Sequence, residues 1–292
     1  MPFLFLVLGL SAHALADDRY RLGDEWGKQA VTEEVLSRES AAFRRAALAT
    51  AKVGGATGFY LGKIADRHLL ATNHHVFTRS GDCSHRTVVF PLQKLAVSCV
   101  EIFGSFPQID LAIFSVQLNE AEANLLAPVA KNFSFESELS PGQELLTIGF
   151  GIASNPERQM VANQDRDCRV FSQRGDYRLM GDPDALNPGR YQAWSFANGC
   201  DVSHGDSGSA LVDRRSGDVV GIIWTGRIPK KRSIQSSAYL DSLLESNSEE
   251  IWSELSYGVP AAKIESFLKA EMESTSNATL KTLLNELLTT RN

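Results

Sequence analysis

Long apolar runs are scarce in this sequence. Phe3 to Leu10 falls well short of the ~20 residues a membrane-spanning helix needs, and no later stretch reaches that length. Stable membrane insertion is therefore not expected. Long basic runs are absent too: 29 Lys and Arg face 35 Asp and Glu, for a net charge of −6, and Lys230-Lys231-Arg232 reads as a solvated loop. Nucleic acid is accordingly not an expected partner. Cysteine is limited to four residues, with no CxxC and no Cys/His cluster at zinc spacing, so neither a metal site nor a cofactor is implied. Histidine is limited to six residues, and none follows His204.

What is present begins with MPFLFLVLGLSAHALADD. An apolar stretch followed by Ala14-Leu15-Ala16 reads as a signal peptide over residues 1–16 with Asp17 as the mature start. The basic n-region is missing, which leaves an upstream start or a short anchor as alternatives. Export to a periplasmic or extracellular compartment follows, and an even cysteine number there predicts two disulfides. Of three pairings, Cys83–Cys99 and Cys168–Cys200 are preferred because each stays within one half of the chain.

Residues 28–49, rich in Ala, Glu, Leu and Arg, are expected to begin as a helix, within an N-terminal segment (17–45) that is a candidate pro-region. From about residue 46 to 125, short β-type runs such as ATGFYLGKI and DLAIFSVQL alternate with turn residues. A linker over 126–140 precedes a second series of runs over about 141–259. The expected fold is all-β: two antiparallel six-stranded barrels. Two helices with apolar residues at i, i+3 and i+4 follow, expected on the second barrel, the last one within 273–292.

Ser207, in Gly205-Asp206-Ser207-Gly208-Ser209, is a weak nucleophile unless a base takes its proton. No histidine follows it, so the base must come earlier. LLATNHHVF supplies one at the end of an apolar run. Asp110, immediately before LAIFSV, sits where a carboxylate can be desolvated and aimed at an imidazole. Singly these features are weak; together they set the order His, Asp, Ser.

With Thr57-Gly58-Phe59, Thr72-Asn73-His74-His75-Val76, Asp110-Leu111-Ala112-Ile113, Pro141-Gly142-Gln143, Gly205 to Ser209, Gly221 to Trp224 and Tyr257-Gly258-Val259-Pro260, the chain resembles the chymotrypsin/trypsin-like serine proteases. It looks nearest the bacterial branch that includes the glutamyl endopeptidases, over a protease domain set at 46–272. The resemblance implies a secreted, monomeric serine endopeptidase acting on proteins or peptides through an acyl-enzyme. His75 would be the base, Asp110 its orienting acid, Ser207 the nucleophile, and Gly205 and Ser207 the oxyanion hole. His74 becomes a structural neighbour, His68 and His85 surface or turn residues, and His204 a candidate cleft residue. The backbone of Ile223, Trp224 and Thr225 would pair with extended substrate, and Gly226 would leave room for a large side chain.

Asp201, six residues before Ser207, would sit at the bottom of the primary pocket and select Arg or Lys. Glutamate preference is not expected, because Ile223 stands where glutamate-cutting enzymes carry a histidine. In trypsin-like zymogens the residue matching Asp206 pairs with an α-amino group freed by cleavage. Lys52-Val53-Gly54-Gly55 lies too close to Thr57 to be such a site, and Ala46 after Arg44-Arg45 is not the usual Ile or Val. The expectation is a hole formed without cleavage, with another partner for Asp206. The rival reading is a non-catalytic peptide- or protein-binding relative of the same fold; an esterase or other acyl hydrolase is a third.

Overall fold

The computed structural model describes residues 18–77, 83, 86–183 and 192–290; the signal peptide over 1–16, His13 and His85 lie outside them. Residues 28–49 begin as a strand, not as a helix: β1 (Lys28–Ala30) pairs antiparallel with a later strand. Helix starts only where caps allow it. Thr32 accepts from Val35 N–H ahead of α1 (Glu33–Arg38), and Ser40 accepts from Phe43 N–H ahead of α2 (Ala41–Ala49).

Next come β2 (Thr50–Val53), β3 (Ala56–Ile64), β4 (Arg67–Thr72), β5 (Thr87–Phe90), β6 (Leu95–Phe106) and β7 (Leu111–Val116). They close into a barrel in the order β2-β3-β4-β7-β6-β5. Strands β4 and β7 are buried on both faces over most of their length. Leu70, Ala112, Phe114 and Val116 point into the barrel core with Val88 and Phe90. Their neighbours Leu69, Ala71, Leu111 and Ile113 face the other way and join the main core with Phe133, Leu146 and Ile148. The two-residue alternation of a strand thus serves two cores at once.

After α3 (Glu120–Leu126), the strands β8 (Leu145–Gly149), β9 (Val161–Asn163), β10 (Arg178–Gly181), β11 (Gln192–Asn198), β12 (Ala210–Asp213), β13 (Val219–Thr225) and β14 (Ser256–Pro260) follow. They form, with β1, an eight-stranded antiparallel sheet in the order β1-β9-β8-β12-β13-β14-β11-β10. The mostly-β architecture, with a closed six-stranded barrel and C-terminal helices, matches expectation. The second unit departs from six strands because β1 and β10 extend its two ends. One disulfide, Cys83–Cys99, lies in the first unit and the other, Cys168–Cys200, in the second.

Helices α4 (Ser237–Glu245) and α5 (Ile251–Glu254) precede β14. Of the terminal pair, α6 (Ala261–Ser274) buries Ala261, Ile264 and Leu268, and α7 (Ala278–Thr289) buries Leu280, Leu283, Leu284 and Leu287. Both stripes enter the main core. Helix α7 docks on more than the second unit: Glu286 accepts from Ala65 N–H at the β3–β4 turn, and Asn132 in the linker donates to Leu287 and Thr290 carbonyls. No described helix is long and apolar enough to cross a membrane.

Candidate active site

His75 sits in a short 3-10 turn, His74–Val76, directly after β4, and Asp110 in the bend that starts β7. Strands β4 and β7 are paired neighbours, which brings the two turns together. Asp110 is fully buried with φ of +35°, a left-handed conformation in which Asp is among the better tolerated residues. Its carboxylate is used twice: Oδ2 lies 2.8 Å from His75 Nδ1, and Oδ1 accepts from His75 N–H at 3.1 Å. Asn73 fixes the bend by donating to the Asp110 carbonyl. Burial works against protonation of His75. The Asp110 charge and hydrogen bond, with Asp182 further off, outweigh it and hold the pKa above the ordinary histidine value.

His74 turns aside. Ser105 donates its hydroxyl proton to the Phe77 carbonyl, so it accepts from His74 Nδ1–H at 2.7 Å, which fixes that tautomer. Burial first, then His75, lowers the His74 pKa despite Asp110. His68 stands on β4, bonded to the Tyr60 hydroxyl.

Ser207 lies in a turn clamped from several sides. Thr57, at the start of β3, takes the Ser207 carbonyl on its N–H (2.9 Å) and donates its hydroxyl to the Gly205 carbonyl (2.7 Å). Ile152 N–H donates to the His204 carbonyl at 2.9 Å. Because a trans peptide points its C=O and N–H in opposite directions, the Gly205 N–H is turned away from Ile152. Among the described residues, neither Gly205 N–H nor Ser207 N–H meets an acceptor. Gly205 has φ of +100°, and a Cβ there would lie 2.4 Å from the Phe150 carbonyl oxygen. Only glycine fits that bend.

Ser207 and His75 line one cleft of about 320 Å³, with Tyr20, Asp182, Val202, Ser203, His204, Trp224, Thr225, Gly226 and Ile228. Two sequence-based assignments need correction. Asp201 is not in this cleft. It is fully buried and its carboxylate accepts from Leu22 N–H at 2.8 Å and Gly27 N–H at 2.9 Å. Burial first and then Asp165 push its pKa up to about 8, against those two donors and Lys28. Ile223 does not line the cleft either, because its N–H and C=O pair with Ser209 and Gly208 and its side chain is in a core. Gly226 does line the cleft, beside Val202, whose Cβ lies 2.8 Å from where a Cβ on residue 226 would stand.

Sequence reading missed Tyr20, Asp182 and Lys28. Thr225 Oγ1 donates to Asp182 at 2.9 Å, so the aspartate is held at the cleft wall. The Lys28 ammonium pairs with Asp206, both side chains almost wholly buried. Asp206 also accepts from Ser203 N–H (2.8 Å), Ser203 Oγ (3.2 Å) and Gly151 N–H (3.1 Å). No group of three or more metal-ligating side chains lies together among the described residues.

Comparison with known proteins adds a family. A family model described as "Trypsin-like peptidase domain" matches residues 56–222, more than half of the chain. A search of curated proteins finds no match. Among solved structures, the inactive form of a Rv3671c mutant from M. tuberculosis is 16% identical with a TM-score of 0.52, over 86% of this chain and 98% of that one. The active form of Rv3671c protease is likewise 16% identical with a TM-score of 0.52, over 82% and 87%. At that identity the likeness concerns the fold.

Proposed function

The chain belongs to the family of trypsin-like peptidase domains, and on that premise we propose that it is an exported serine endopeptidase with Ser207 as nucleophile, His75 as general base and Asp110 as its orienting acid. One observation carries the reading. An imidazole bonded to a buried carboxylate opens onto the same cleft as Ser207, and the turn that carries Ser207 has two backbone N–H groups without acceptors among the described residues. Ser207 would attack a peptide carbonyl while His75 takes its proton. The imidazolium formed is stabilised by Asp110, and the oxyanion by Gly205 and Ser207 N–H. His75 then protonates the leaving amine, and water repeats the sequence on the acyl-enzyme.

Two disulfides support an oxidising compartment. Kinship with the bacterial branch that includes the glutamyl endopeptidases is supported by the sequence motifs from Thr72 to Val76 and Tyr257 to Pro260. Any preference for Arg or Lys rests on Asp182, the one carboxylate among the described residues of the cleft wall, and not on Asp201. The non-catalytic alternative is not favoured, since Asp110 bonds His75 and His75 shares a cleft with Ser207.

Labelling the mature protein with a fluorophosphonate, followed by cleavage of a mixed peptide library, tests the reading. Label on Ser207, lost in a folded Ser207→Ala variant, is the expected result. A folded wild-type protein that takes no label and cuts nothing would sink it.

A further inference from the structure

Asp206 lies next to the proposed nucleophile, out of water, and its neighbours are arranged around that fact. A carboxylate removed from solvent stays charged only where an opposite charge and hydrogen bonds meet it. The opposite charge comes from far away in sequence: Lys28, 178 residues earlier, brings its ammonium to Asp206 Oδ2 and to Ser203 Oγ at 3.1 Å. The slot for this pair is cut by glycines. A Cβ on Gly151 would lie 2.1 Å from Asp206 Oδ2 and 2.3 Å from Lys28 Nζ, and one on Gly149 would lie 3.0 Å from Asp206 Oδ1.

The residues that grip Asp206 are also the walls of Gly205. Gly151 N–H binds the carboxylate, while its neighbours Phe150 and Ile152 press on Gly205 and hold the His204 carbonyl. Ser203 N–H closes the turn from the other side. Without a cation in the slot, Asp206 would have to swing towards water. The adjacent Gly205 and Ser207 peptides would turn with it.

Lys28 is held in place independently. Strand β1 pairs with β9, Lys28 opposite Asn163, and Asp201 binds the N–H of Gly27, the residue before it. The two aspartates that precede the nucleophile, Asp201 and Asp206, both hold the N-terminal segment.

We infer that Lys28 is the positioning residue of the oxyanion hole: its ammonium, delivered by β1 into the Gly149–Gly151 slot, holds Asp206 so that Gly205 and Ser207 N–H face the cleft in the uncut chain. This rests on the serine-protease reading above. It makes residues 22–31 a working part of the site, so their removal as a pro-region would disarm the enzyme.

The test uses the full chain and reads kcat and KM separately, with kcat normalised to the cooperatively melting fraction. Lys28→Met should lower kcat by about 10²–10³-fold, the loss of an oxyanion donor, with KM little changed. Lys28→Ala should regain at least about tenfold of that loss in millimolar propylammonium and nothing in tetramethylammonium, which cannot donate hydrogen bonds. Should Lys28→Met not fold, Gly151→Ala drives a methyl between the two charges without removing either, and it should show the same fall in kcat. Unchanged kcat per folded molecule in Lys28→Met or in Gly151→Ala overturns the inference, as does propylammonium that restores nothing to folded Lys28→Ala. Wild-type labelling at Ser207 keeps the two ideas apart. If wild type is labelled and active while these variants match it, only the role of Lys28 falls.

Discussion

Replacing Gly205 by Ala is the smallest change that tests whether the nucleophile turn is set for an oxyanion. The added methyl meets only backbone: the Phe150 carbonyl oxygen at 2.4 Å, its carbon at 3.1 Å and Gly151 Cα at 3.4 Å. No side chain can rotate away, and φ of +100° is itself unfavourable for alanine. Holding the native turn costs about 1–3 kcal/mol for the backbone alone, before the clash is counted. Rotating the His204–Gly205 peptide relieves both, but it breaks the 2.9 Å bond from Ile152 N–H and swings Gly205 N–H out of the cleft. That bond contributes about 1 kcal/mol, so rotation is the cheaper escape. The expected cost is then one oxyanion donor, about 10²–10³ in kcat, with KM nearly unchanged because the donor acts in the transition state. Steady-state kinetics on a peptide anilide measure both, and the affinities of a peptide boronate and of its unreactive amide separate tetrahedral from ground-state binding. The boronate should lose affinity and the amide should not. A folded Gly205→Ala enzyme with kcat within about threefold of wild type would refute the reasoning.

Two further outcomes follow from the charges around the cleft. His75 must be neutral to accept a proton, and its pKa is held above the usual ~6.5, so kcat/KM should rise with pH through a value above that. Asp182→Asn removes one of the charges that raise it and should move this limb towards acid; an unmoved limb would show that Asp182 does not act on His75. Asp201 titrates near 8 when folded, against about 3.9 unfolded. Its contribution to stability is therefore complete only below about pH 4 and is lost as pH rises through about 8. Urea midpoints at pH 5 and pH 9 should converge in Asp201→Asn relative to wild type, while the order of preferred substrate side chains stays the same. A changed preference would return Asp201 to the specificity pocket.

The order His75, Asp110, Ser207 was legible because each residue stands at a turn after or before a strand-like run, and turns at strand ends meet when the strands pair. The disulfides were legible because each closes within one unit. Residue 28 was not, since KQAV carries no period long enough to separate a strand from the start of a helix, and its partner β9 is remote. Asp201 misled for the same reason. Spacing from Ser207 locates the loop, but the donors that claim its carboxylate, Leu22 and Gly27, come from 179 and 174 residues away. Asp182 and Tyr20 join the cleft only through tertiary contact and carry no local signal.

The first residues of the sheet close on some of the last. The barrel of β2 to β7 needs only residues 50–116 and can close while later sequence is still being made. The cleft cannot. Lys28 must wait for Asp206, and Leu22 for Asp201, so contacts of high sequence separation complete the site late in folding. A chain interrupted anywhere before residue 206 therefore carries neither Ser207 nor the carboxylate that the Lys28 ammonium meets. If the proposed chemistry holds, hydrolytic competence arrives as a final assembly event, after the chain has passed residue 207.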